Sequence, residues 1–216
     1  MNYFGHVSLA CRFHQSAAFY LGSMLPDFAS IIRYHTPLCA DDLVAKGVAF
    51  HHVSDRAFHD SAEFRELVRD SVAKLGSLGV RKGAARAAAH IGIELLLDAT
   101  LASSPEHAEA FREALAIASP KHLGKWLNWS HTNGPERFEA LRLRLLERTS
   151  ENHNHSIPRI AARLTYALTD RPRLQLTDSE RAVVSAWLGS TAPRVDSGWS
   201  ILWPALVRRV SSHWSD

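Results

Sequence analysis

Apolar residues recur at three- and four-residue spacing along most of the chain, and no stretch alternates apolar and polar as a half-buried strand would. The pattern predicts a first helix from about Val7 to Leu21, closed by Gly22 with Pro26 shortly after. After Pro37 a second helix opens at Asp41 or Asp42 and runs to about His59. Ser61 and Glu63 open a third, whose apolar stripe is Phe64, Leu67, Val68, Val72 and Leu75 and whose end lies at Gly76 and Gly79. The Ala-rich run from about Arg81 to Leu101 is the longest and most apolar candidate. Further helices are expected near 105–117, 120–130, 135–149, 157–169, 177–188 and 199–213, with Thr177 and Glu180 forming a capping box. Glu151 to Ser156 is polar and reads as a loop. With no repeat, low-complexity tract or dividing linker, the expected architecture is one all-α domain over residues 1–216.

Two of these helices carry the chemistry. In the Ala-rich helix, His90, Glu94 and Asp98 recur every four residues, a drift of ~40° per step that keeps them on one broad face. That face lies among Ile91, Leu95, Leu97 and Leu101, so it is expected to point inward. Burying carboxylates among leucines is costly unless they are paired or bind a cation. The second helix offers His51 or His52 with Asp55 and His59, and its spacing leaves open which of the two adjacent imidazoles faces inward. Imidazole and carboxylate are ligands that divalent metals accept. Asp27, after Pro26, ends a turn that would aim its carboxylate back at the core, and His6 stands at the head of an apolar segment. Asp60 is a candidate cap for the helix that follows it.

Composition narrows the function classes. The chain has 216 residues, 46% hydrophobic and 22% charged, as an ordinary globular protein has. A net charge of +3 with scattered arginines argues against nucleic acid, while a modestly basic surface suits an acidic partner or a phosphate ester. Cys11 and Cys39 make no disulfide framework, and the opening residues lack the basic and apolar regions of a secretory signal. No membrane span is expected, and a cytoplasmic location follows as the plain expectation.

Several short motifs, in order, resemble the acyl-carrier-protein phosphodiesterase family, hydrolases that release 4′-phosphopantetheine from the carrier. They are the opening Met1-Asn2-Tyr3-Phe4-Gly5-His6, the Gly22-to-Asp27 turn, Gly47-x-x-x-His51-x-x-x-Asp55, Glu94 and Asp98 four apart, Arg171-Pro172-Arg173-Leu174, and Leu202-Trp203-Pro204. That family is similar to a distant branch of the HD-type metallohydrolases. The resemblance implies a helical HD-like fold, a divalent cation (manganese first, zinc or iron as alternatives) and metal or catalytic roles for Asp27, His51, Asp55 and Asp98. The chain departs from the family pattern at Ala49, at Phe58-His59, at Glu94 and at Ala99, and His59 or His90 would supply a missing ligand. The Pro26-Asp27 turn with its N-terminal His6 is also similar to zinc-dependent phospholipase C-like proteins, which keeps a phospholipid substrate open.

Together these readings give a metal-dependent phosphodiesterase with Asp27, His51, His90 and Asp98 as ligands. Asp55, Glu94 and His59 would orient or deprotonate water, and His6 or His52 would stand behind the ligands or replace one. Arg171 and Arg173 would meet an acidic acyl carrier protein or its phosphate. The alternative is a helical binding protein that keeps the scaffold without catalysis.

Overall fold

The computed structural model describes residues 1–150 and 156–214, with 148–150 as backbone only. The polar loop expected at 151–156 lies outside the described residues except for Ser156. Among the described residues there are ten helices and two strands of two residues each, so the all-α expectation holds. No described helix is long and apolar enough to cross a membrane. Cys11 and Cys39 are free thiols. The chain divides into two compact units, Met1–Ala57 with Leu101–His153 and Arg209–Asp216, and Phe58–Thr100 with Asn154–Arg208.

The first unit is built around α1 (Tyr3–Ala10), every residue of which from Phe4 onward is buried. A helix enclosed on all sides can be apolar all round, and here it places one imidazole, His6, fully inside. Asn2 starts it by accepting the Tyr3 N–H at 2.9 Å. The single helix expected from Val7 to Leu21 is instead two. α1 ends near Cys11, and α2 (Ala17–Ile31) continues through both Gly22 and Pro26. Gly22 is therefore not a helix stop. It permits a close crossing with α3 (Asp42–His59), where a Cβ on Gly22 would stand 2.2 Å from the Val44 carbonyl oxygen. Gly47 makes the reciprocal approach, its Cβ position falling 2.3 Å from the Phe19 carbonyl oxygen.

Asp41 caps α3, accepting from the amides of Leu43 and Val44 at 3.0 Å. Phe111 of α6 (Pro105–Ile117) packs on Tyr3 and Phe4, and Phe138 of α8 (Gly134–Ser150) packs on Phe28. The helix expected near 120–130 stops early. α7 (Pro120–Trp126) gives way to β2 (Leu127–Asn128), which pairs antiparallel with β1 (Leu38–Cys39).

The second unit contains α4 (Ala62–Ser77), most of α5 (Lys82–Leu101), α9 (Ile157–Leu168) and most of α10 (Asp178–Ser211). Ser61, not Asp60, caps α4 by accepting the Phe64 N–H at 3.3 Å. Gly92 on α5 lets the Trp187 indole of α10 approach, since a Cβ there would lie 2.7 Å from the ring. The capping box forms as expected. The Thr177 hydroxyl accepts the Glu180 N–H at 3.2 Å while Glu180 accepts the Thr177 N–H at 2.9 Å. Glu180 also takes a forked pair from Arg81, at 2.9 and 2.8 Å.

Helix α10 replaces the two helices expected at 177–188 and 199–213, running through Pro193 and Pro204. Val184, Leu188, Val195, Trp199, Leu202, Leu206 and Val210 keep helical spacing across both prolines and are all buried. Burial of that stripe outweighs the local cost of the missing amide donors.

Candidate functional site

Three side chains from three helices meet inside the first unit: His6 of α1, Asp27 of α2 and His51 of α3, with ligand-capable atoms all within 4.8 Å of one another. The Gly22–Gly47 crossing is what makes this possible. His51 lies one turn after Gly47, on the face that α3 turns toward α2, and its Nδ1 reaches the Ser23 carbonyl at 2.9 Å. A carbonyl oxygen only accepts, so Nδ1 of His51 carries the proton and Nε2 presents a lone pair.

His6 is oriented the same way. The Ser54 hydroxyl donates to the His51 carbonyl at 3.0 Å, which leaves its oxygen to accept from Nδ1–H of His6 at 2.9 Å. In that tautomer Nε2 of His6 presents a lone pair, 4.0 Å from Asp27 Oδ2 and 3.5 Å from Asp55 Oδ1. The two rings lie 3.9 Å apart between centroids. Burial, reinforced by the neighbouring His6, pushes His51 down to about 2, so its ring is neutral at any ordinary pH. Neutral imidazoles with their second nitrogen held by a hydrogen bond are the form that binds a metal.

Two imidazole nitrogens and a carboxylate fit a divalent transition metal by donor chemistry. Both imidazoles are buried, whereas the carboxylates of Asp27 and Asp55 are 26% and 37% exposed. The Asp27 oxygen that faces the imidazoles, Oδ2, is itself buried, so the exposed part of that carboxylate lies away from them. Asp55 Oδ1 also accepts from the amino group of Met1 at 2.8 Å. His52, the other of the adjacent imidazoles, is exposed, so the choice left open by the spacing falls to His51.

A second group forms in the other unit. Nε2 of His90 and Nε2 of His59 lie 3.2 and 3.6 Å from the same oxygen, Glu94 Oε1. The two rings stack at 4.8 Å. Burial alone would raise the Glu94 carboxyl, but positive charge, the N-terminal amino group first, and then the hydrogen bond with His90 outweigh it and hold it at about 2. Beside this group lies an open pocket of about 380 Å³ lined by His59, Phe64, Arg65, Val68, Arg69 and His90.

The residues singled out in the sequence therefore divide. Asp27 and His51 join His6 with Asp55 alongside, while His90 joins His59 and Glu94. The inward face expected for His90, Glu94 and Asp98 is not uniform: the His90 side chain is 45% exposed and Asp98 is buried. Asp98 lies 3.6 Å from the Arg163 guanidinium, an ion pair within the second unit. Arg171 and Arg173 are exposed in the turn after α9. Sequence reasoning did not single out Ser23 and Ser54, which orient the two buried imidazoles. Ser54 had a signal, three residues after His51 on the same helix, but the Ser23 contribution is a backbone carbonyl and leaves none. Protein-family models, curated proteins and solved structures give no match to this chain.

Proposed function

We propose that the protein is a metal-dependent hydrolase of phosphodiesters, with its metal centre at His6, Asp27 and His51. The observation that carries this reading is the convergence of three acceptor atoms. Two buried Nε2 lone pairs, each fixed by a hydrogen bond on the far side of its ring, face one carboxylate. Mixed imidazole and carboxylate donors favour zinc or iron(II), with manganese next and magnesium or calcium last. A bound divalent cation would supply Lewis acidity toward a phosphoryl oxygen and a water acidic enough to attack phosphorus near neutral pH.

The chain's own residues have distinct parts. His6 and His51 form the buried wall, and Asp27 closes the third side. Asp55, more exposed and 3.5 Å from His6 Nε2, is the carboxylate we assign to take the proton of the attacking water. The resemblance to acyl-carrier-protein phosphodiesterases makes holo-acyl carrier protein the first substrate to try, ahead of a phospholipid. A second reading is favoured by the depth of the two imidazoles. An ion there would tie α1, α2 and α3 together without turning anything over, leaving a helical binding protein.

Hydrolysis separates the two. Purified protein supplied with zinc, iron(II), manganese or magnesium should cleave bis-p-nitrophenyl phosphate with the first three and not the last. Asp55→Asn should lower kcat by about 100-fold or more while retaining the metal, the loss typical of a general base. Bound metal with no cleavage of the diester, of holo-acyl carrier protein or of phospholipid would leave the structural-ion reading standing.

A further inference from the structure

We propose that His59, His90 and Glu94 hold a second divalent transition-metal ion, zinc by donor chemistry, whose open positions face a pocket where Arg65 and Arg69 take a phosphate group. The site lies wholly within the second unit and does not depend on the centre at His6, Asp27 and His51. Its geometry is the first argument. Zinc binds imidazole nitrogen and carboxylate oxygen at ~2.0–2.2 Å in a tetrahedron, which places ligand atoms about 3.4 Å apart. The two Nε2-to-Oε1 separations, 3.2 and 3.6 Å, bracket that edge. The three residues make a set of two imidazoles and one glutamate, the donor set of an open, three-ligand zinc site.

The surroundings supply the second argument. Phe64 is buried and packs edge-on against both rings, at 5.0 Å from His59 and 5.3 Å from His90, and so braces the imidazoles. Together with Phe64 they line the open pocket, with His90 45% exposed. A fourth ligand would therefore come from solvent or from a bound molecule. Two arginines, Arg65 and Arg69, line the same pocket. Among the described residues Arg69 is engaged only by surface pairs, 3.3 Å from Asp70 and 3.9 Å from Glu66, with its side chain 73% exposed. Such exposed pairs exchange at little cost. Arg65 lines the pocket beside it. A cation and two forked donors around a shallow cavity with apolar walls from Phe64 and Val68 suit a phosphate oxygen group.

Zinc titration followed by calorimetry tests the ion, with cobalt(II) absorption as a second readout. Wild type should bind two ions per chain, His90→Ala one and His51→Ala one, and cobalt in His51→Ala should give the intense visible bands of a tetrahedral site. His90 is half exposed, so its alanine variant should keep wild-type helicity by circular dichroism. His59→Ala provides an independent second removal.

If His90→Ala and His59→Ala still bind two ions at unchanged affinity, the inference is overturned while the centre in the first unit stands. If His51→Ala keeps both ions and His90→Ala loses one, the inference stands and the proposed hydrolytic centre fails. For the pocket, inorganic phosphate should shift the cobalt bands of His51→Ala. The additional Arg65→Ala change should weaken that effect about tenfold, the loss of one charged hydrogen bond. Bands unmoved by millimolar phosphate would overturn the phosphate assignment.

Discussion

His51→Ala should reduce the affinity of the first unit's centre for zinc by more than about 100-fold, and any diester hydrolysis with it. His51 contributes one of two buried imidazole nitrogens, and its Nδ1–H is committed to the Ser23 carbonyl, so no other nitrogen of the ring can replace Nε2. Removing an outer partner of a metal ligand typically costs ~10–100-fold in affinity, and removing the ligand itself costs more. Ser54→Ala supplies the graded comparison. It deletes the oxygen that accepts from His6 Nδ1, frees the ring to turn, and should cost ~10–100-fold while leaving every ligand atom in the chain. Competition with a chromophoric zinc chelator reads both. Equal affinities for wild type, Ser54→Ala and His51→Ala would mean that these residues do not hold the ion.

Gly22→Ala should destabilise the fold by about 3 kcal/mol and lower the melting temperature by roughly 10 °C, at the upper end of what an added methyl group costs. The new Cβ would meet the Val44 carbonyl oxygen at 2.2 Å and Gly47 Cα at 2.9 Å, both backbone atoms that cannot swing aside as a side-chain tip can. Relief would require α2 and α3 to separate, and that separation would also draw the Ser23 carbonyl away from His51. The variant should therefore lose metal affinity as well as stability. Gly76→Ala is the control. Nothing lies within 4 Å of a Cβ there, and alanine in place of glycine in a helix should stabilise by about 0.5–1 kcal/mol. Thermal melts of the two variants side by side should move in opposite directions, and a neutral Gly22→Ala would show that the crossing is not tight.

Helical periodicity made α3 legible as a functional helix. Gly47, His51 and Asp55 recur every four residues, and the structure gives that face one purpose: glycine admits α2, and the imidazole and carboxylate then reach residues of α1 and α2. The same logic was less complete for α5. A drift of ~40° at each four-residue step carries the series from the surface at His90, through Glu94, to the buried Asp98. What reads as one inward face is a passage from solvent to core. Spacing along one helix also carries no information about which other helices approach it. His6 looked unremarkable alone because its partners lie 21 and 45 residues away, on α2 and α3. The helix ends misread in the sequence share a cause. At Gly22, and between 188 and 199 where Pro193 lies, a helix end was expected, but tertiary burial keeps the helix going.

The most direct test of the central claim is anomalous X-ray diffraction from zinc-soaked crystals, with data above and below the zinc edge. A peak is expected within about 2.3 Å of His6 Nε2, His51 Nε2 and an Asp27 carboxylate oxygen at once. Clear density for those three side chains with no anomalous peak between them, at a zinc concentration that fills other sites, would contradict it.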